Sequence, residues 1–146
     1  MKLKSIVVVV MLGLSLTACS DIVKITMPTQ STSAITGQVI SSGQTWSGKY
    51  VCRQGLTDVV IEVKNKVGNY HNGIYSFNYA NKDKGAFAIR IYENGSNIYT
   101  KSAYWIDQPR NYVMVDLDGI FNPSKGTWNG SVVDAGCGNF DLKLVS

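Results

Sequence analysis

Phe87-Ala88-Ile89-Arg90-Ile91-Tyr92-Glu93-Asn94-Gly95-Ser96 decides the fold. Phe87, Ile89 and Ile91 alternate with Ala88, Arg90 and Tyr92, the two-residue period of a strand with one buried and one wet face. Asn94-Gly95 then supplies the positive φ that a hairpin turn requires. The same period recurs on both sides. Toward the N-terminus, Tyr75, Phe77 and Tyr79 alternate with Ser76 and Asn78, and Val59, Ile61 and Val63 with Val60, Glu62 and Lys64. Earlier still, Trp46, Gly48, Tyr50 and Cys52 oppose Ser47, Lys49 and Arg53. Toward the C-terminus, Val113, Val115 and Leu117 alternate with Met114 and Asp116, and Phe140, Leu142 and Leu144 with Asp141 and Lys143. Two less regular runs, 97–106 and 126–133, bring the total to about eight strands. Gly68-Asn69, 81–85, 93–96, Asp118-Gly119 and 122–126 punctuate these runs with turn residues. Beyond the leader, no window carries a helical stripe. The expectation is an all-β, antiparallel meander closed as a small barrel, with a β-sandwich as the alternative.

The chain has 146 residues, enough for one domain. Its 45% hydrophobic content excludes a wholly disordered polymer, and the Gly and Tyr content suits a β domain with tight turns. The first residues do not belong to that domain. Lys2 and Lys4 precede an uncharged run from Ser5 to Ala18 whose apolar heart is Ile6 to Leu16. A helix needs roughly 20 apolar residues to cross a bilayer core. The run is too short for that and has the form of an export signal.

The signal ends in Leu16-Thr17-Ala18-Cys19, which resembles the lipobox of bacterial lipoproteins. The resemblance implies cleavage between Ala18 and Cys19, a diacylglyceryl group on the Cys19 thiol and acylation of the new amino group, palmitate being a typical chain. One acyl chain holds a protein only marginally, whereas two or three hold it stably. The partner so implied is a membrane, reached through the lipid anchor. In enterobacterial-type systems an Asp directly after the lipidated Cys favours inner-membrane retention. Here Ser20 stands in that place and Asp21 follows, which points to the outer membrane of the cell envelope.

Cleavage removes Lys2 and Lys4, so the formal +4 falls by two to +2. With that balance and no Lys/Arg-rich run, no nucleic-acid partner is expected. Assigning Cys19 to lipid leaves Cys52 and Cys137, and an even pair in an exported protein reads as a disulfide. Residues 1–18 are thus the signal peptide, 19–45 the lipidated Cys and a flexible tether, and 46–146 the β domain. The tether is rich in Ser, Thr and Gln, as in Pro28-Thr29-Gln30-Ser31-Thr32-Ser33, although Ile22-Val23-Lys24-Ile25 could instead pair as a short strand.

Tyr50-Val51-Cys52-Arg53-Gln54-Gly55-Leu56-Thr57, Trp105-Ile106-Asp107-Gln108-Pro109 with Tyr112-Val113-Met114-Val115, and Cys137-Gly138-Asn139-Phe140-Asp141-Leu142 together resemble a small exported bacterial β domain found alone or appended to other proteins. That resemblance supports the fold and the disulfide and implies no activity. The terminal cysteines also resemble those of periplasmic lysozyme-inhibitor lipoproteins, but the similarity does not extend to their signature loop.

Reaction chemistry has few footholds. A hydrolytic nucleophile needs a base beside it, and the single histidine, His71, lies in a polar Asn-Tyr-His-Asn-Gly stretch that reads as a turn. Asp116 and Asp118 share one strand face and could serve as a glycosidic carboxylate pair or bind calcium. Outward charges on a wet face explain them more simply. No catalytic residue, metal site or cofactor is expected. Aromatic residues are more suggestive, because Tyr and Trp offer large contact area and a polar tip at low entropic cost. Tyr92, Tyr99, Tyr104 and Tyr112 are placed outward. Trp105 and Arg110 flank an apparent bend at Pro109, where Trp105 either joins a contact surface or caps the core. Trp105, Arg110, Tyr112 and Tyr92 are therefore the candidate surface for a protein or glycan. The expected function is a non-catalytic, membrane-anchored β domain that binds an envelope macromolecule or shields the cell, with hydrolase inhibition as one version. An envelope enzyme acting on glycans through Asp116 and Asp118, or a structural part of an envelope assembly, are the alternatives.

Overall fold

A computed structural model describes residues 39–134 and 136–146. Cys19, the cleavage point at Ala18 and the stretch Ile22 to Ile25 lie outside the described residues. Eight antiparallel strands follow one another: β1 (Thr45–Cys52), β2 (Gly55–Val67), β3 (Tyr70–Tyr79), β4 (Asp83–Asn94), β5 (Asn97–Asp107), β6 (Asp116–Asn122), β7 (Thr127–Val133) and β8 (Asn139–Leu144). Each pairs with its neighbour in sequence, and β8 pairs with β1, so the sheet is a closed up-and-down barrel. No helix occurs among the described residues.

Strand parity places the core. Trp46, Tyr50, Val59, Ile61, Tyr75, Phe87, Ile89, Ile91, Leu117, Trp128, Phe140 and Leu142 all point inward and are buried. Aromatic rings meet edge to face across the interior. Trp46 lies 5.3 Å from Phe121 and 6.0 Å from Trp128, and Trp128 lies 5.2 Å from Phe140. Such crossings set the negative ring face against a positive edge.

Several local expectations change. Asp118-Gly119 is not a turn but the middle of β6, whose turn to β7 lies at 123–126. Gly119 is paired with Gly130 across the ladder, and a Cβ at Gly130 would stand 2.1 Å from the Asp118 carbonyl oxygen. The glycines permit a close backbone approach beneath large rings, the small-against-large filling of a narrow barrel. The run Val113 to Leu117 is only partly strand: β6 begins at Asp116, and Val113 is exposed. The β3–β4 turn sits at 80–82 and uses positive φ at Ala80 and Asn81. Packing also reaches back before Trp46. Ile40 is fully buried, and its N–H donates to Glu93 Oε1 at 2.7 Å.

The chain enters and closes at opposite ends of the barrel. Ile40 reaches Glu93, near the end of β4, and Gly43 and Thr45 N–H groups donate to the Val63 and Ser146 carbonyls. At the other end, Cys52 and Cys137 form a disulfide that ties the end of β1 to the approach to β8. Strand β4 runs between these ends, about 35 Å measured along the tilted strand.

One seam is thin. Strands β5 and β6 pair only at Asn97↔Ile120, Ile98↔Gly119 and Tyr99↔Asp118. Beyond them, side chains take over: Leu117 N–H donates to the buried Thr100 Oγ1 at 2.8 Å, and Ser102 N–H to Asp116 Oδ1 at 2.5 Å. Thr100→Val should leave the Leu117 N–H without an acceptor and cost about 1–3 kcal/mol, read as a lower urea midpoint with an unchanged slope. Cys52→Ser with Cys137→Ser opens a loop of sequence separation 85 and should lower stability by up to about 4–5 kcal/mol. Reductant should reproduce that loss in the wild type and leave the double variant unaffected.

Candidate functional site

The four candidate surface residues do not form one surface. Strand β5 places Trp105 opposite Phe87, which faces the core, so Trp105 points inward. Its ring lies 5.2 Å from Phe87 and 6.3 Å from Phe77, covering the disulfide end of the interior. Tyr112 folds over the same end, stacked on Phe77 at 5.2 Å. The turn that carries it is closed by Tyr112 N–H donating to the Pro109 carbonyl at 3.3 Å. The Tyr112 hydroxyl donates to Asp83 Oδ2, also at 3.3 Å. Burial, and secondarily the Asp83 charge, push its pKa upward. Tyr112 is therefore half-buried rather than outward. Arg110 is exposed on that turn. Tyr92 belongs elsewhere: it is near the far end of β4, stacked on Tyr99 at 5.1 Å and 5.5 Å from Tyr70.

Trp105 and Tyr112 border the mouth of the barrel. A cleft of about 550 Å³ opens there, lined by Tyr50, Gln54, Tyr112, Val115 and the disulfide. Tyr50 lines it, and the fully buried Thr57 and Tyr75 neighbour Tyr50 in the core. Burial raises the Tyr50 pKa to about 12, against the opposing effect of hydrogen bonds with Tyr75, Thr57 and Gln54. Thr57 is fully buried and donates to the Gly55 carbonyl at 3.2 Å. Tyr75 is buried against Phe87 with its ring 4.5 Å away. Its hydroxyl stands beside that of Tyr50, without a well-formed hydrogen bond among the described residues. The neutral Tyr50 phenol can exchange hydrogen bonds with a polar group in the cleft and remains protonated at any physiological pH.

The candidate carboxylates are differently employed. Asp116 Oδ1 accepts the Ser102 N–H and stitches the thin seam, and Asp118 is exposed on the same outer face of β6. Among the described residues, no group of three or more His, Cys, Asp and Glu side chains is arranged to hold a metal ion. Compared with known proteins, the chain matches no family model and no curated protein.

His71 is not a turn residue. It pairs with Lys66 and Ile91 inside β3, faces inward and is 2% exposed. The polar residues around it in sequence occupy the other strand face, so composition hid its parity. Burial lowers its pKa from the ordinary value, with the Lys66 charge acting in the same direction and Glu93 opposing. The folded chain thus resists a proton that the unfolded chain accepts near pH 6.5. Stability from this residue is complete above that pH and falls as the pH drops from it toward the lower folded value. His71→Gln should flatten this part of the stability profile, as followed by thermal melts between pH 4 and 8. A profile unchanged by the substitution would assign the acid sensitivity to other groups.

Proposed function

We propose that the chain is an exported lipoprotein, held by acyl chains on Cys19 at the outer membrane, whose barrel binds an envelope macromolecule without acting on it. The single observation that carries this reading is the order of Lys2 and Lys4, the short apolar run, and Leu16-Thr17-Ala18-Cys19. Only a cysteine at that position offers a thiol for a thioether anchor. The disulfide between Cys52 and Cys137 supports it, because such bonds persist in oxidising compartments outside the cytosol.

Intact-mass measurement on protein from native membranes should find a chain beginning at residue 19 and carrying diacylglyceryl and acyl groups. Cys19→Ser should abolish that added mass and move the protein out of the detergent-extracted membrane fraction. Native material that retains Met1 with an unmodified residue 19 would overturn the anchor.

A further inference from the structure

The outer face of β3, β4 and β5 carries three cross-strand rows that composition does not reveal. The first joins Tyr70, Tyr92 and Tyr99 through the pairs Tyr70↔Tyr92 and Tyr92↔Tyr99. The second joins Asn72, Arg90 and Lys101 through Asn72↔Arg90 and Arg90↔Lys101, and Asn72 Nδ2 donates to Asn65 Oδ1 at 3.4 Å at its margin. The third joins Ile74, Ala88 and Tyr104 through Ile74↔Ala88 and Ala88↔Tyr104. The donor row lies between an aromatic wall and an apolar strip. A groove of about 600 Å³ is lined by Tyr70, Asn72, Arg90, Ile74, Ala88 and Tyr104 of these rows, with Lys101 beside it as the cross-strand partner of Arg90.

Two features of the groove are unfavourable for a surface with no ligand. Arg90 and Lys101 are exposed and stand directly opposite each other, and like charges so placed destabilise a sheet. The Arg90 guanidinium lies 5.3 Å over the Tyr70 ring, which fixes its direction without neutralising it. The acids at the margins are already engaged or opposite other residues: Glu62 binds Lys64, Asp116 accepts the Ser102 N–H beside Lys101, and Asp118 is opposite Tyr99. The second feature is Tyr104, which is 66% exposed. Strict alternation from Thr100 and Ser102 would turn it inward. A bulge between Ala88 and Ile89 on the paired strand, with Ala103 as the extra residue of β5, re-aims it outward instead. A second irregularity at Ala86/Phe87 accompanies an exposed Ile106 beside it.

We infer that this groove binds an acidic saccharide. A carboxylate on the sugar meets Arg90 and Lys101, whose mutual repulsion it relieves. The ring lies against Tyr104 and Ile74, where a flat apolar surface suits the C–H face of a sugar. The side-chain amides of Asn72 and Asn65 both donate and accept, which matches hydroxyls that do the same. An acidic peptide fits less well. Strand β4 is paired along both edges, so no backbone ladder is open to an added strand at the groove floor.

The inference rests on the binding-module half of the reading above and not on the lipid anchor. The test is calorimetric titration of the full chain with oligogalacturonate, a neutral cello-oligosaccharide of equal length, sodium sulfate and oligoglutamate. Oligogalacturonate should bind, and more weakly as salt is raised. Arg90→Gln should weaken it about tenfold, the size of one lost charge-assisted hydrogen bond, and Tyr104→Ala should weaken it severalfold. Lys143→Gln, a distant exposed cation on β8, should change nothing. Circular dichroism melts of each variant separate unfolding from lost contact. Absence of oligogalacturonate binding, equal binding of the neutral sugar, tighter binding of oligoglutamate, or sulfate binding that accounts for the whole affinity would overturn it. So would oligogalacturonate binding that ignores both Arg90 and Tyr104, although that result would leave the binding-module reading standing. An unmodified Cys19 would remove the anchor and leave this result untouched.

Discussion

An eight-stranded meander has two edges, and each would present a row of unpaired N–H and C=O groups to water and to other chains. The ladder between β1 and β8 removes both, running from Trp46↔Leu144 to Tyr50↔Phe140. It depends on a residue without a side chain. A Cβ at Gly48 would lie 1.9 Å from the Asp141 carbonyl oxygen, so β1 and β8 approach this closely only because position 48 is glycine. Closure then determines the interior. It brings Trp46 of β1 against Phe121 of β6 and Trp128 of β7, residues that an open sheet would hold apart, while Trp128 meets Phe140 across the neighbouring β7–β8 pair. Both indole N–H groups are buried without hydrogen-bond partners among the described residues. Each carries a desolvation cost of about 1–3 kcal/mol, which the burial of such large rings offsets. Beyond the last ladder pair the β1–β8 junction is extended by the Gly138 N–H, which donates to the Val51 carbonyl at 2.8 Å, and by the disulfide.

Closure is uneven around the barrel, and the unevenness has a physical source. Strand β5 carries irregularities opposite β4 at two places within a few residues. Bulges increase local twist and bend a strand away from its neighbour. After Tyr99 it therefore parts from β6, and Thr100 and Asp116 replace the missing ladder with side-chain bonds. The segment 108–115 then crosses the end of the barrel, with Tyr112 packed on Phe77. The same irregularities that thin the seam turn Tyr104 and Ile106 to the outside. The weakest junction and the most exposed apolar side chains of this region thus share one cause.

The period-two alternation was sufficient to read the strands, because a one-residue shift would reverse every buried residue at once. Phe87, Ile89, Ile91, Val59, Ile61 and Val63 are all where their parity places them. Closure was legible more indirectly, from the number of strands and the two distant cysteines. What could not be read is whatever depends on the partner strand. Gly119 looks like a turn residue in sequence and is a close-approach residue only because Gly130 faces it. His71 looks solvated among Asn and Tyr and is buried because β3 places it beside Ile91. Trp105 reads in sequence either as a contact residue or as a cap and is a cap of the core, whereas Tyr112 reads as outward and is folded onto Phe77. The like-charge pair of Arg90 and Lys101 lies 11 positions apart in sequence and becomes neighbourly only through the β4–β5 register. Ile40 sits in a segment too polar to suggest packing, and its place in the core comes from the barrel end it fills.

The two concavities differ in what could enter them. The mouth is lined by the neutral Tyr50, the half-buried Tyr112 and the disulfide, against which a ligand must shed much of its water, while Arg53 and Asp134 put charge at its rim. The groove on β3 to β5 keeps its cations exposed, so an anion can bind without full desolvation, and the affinity gained per contact is correspondingly small. A surface of that kind gains strength from repetition along a polymer rather than from one deep contact. Under the proposed lipid anchor, many copies on one membrane would engage successive units of the same polymer, and a weak, salt-sensitive contact at each would add up to a stable attachment of the whole.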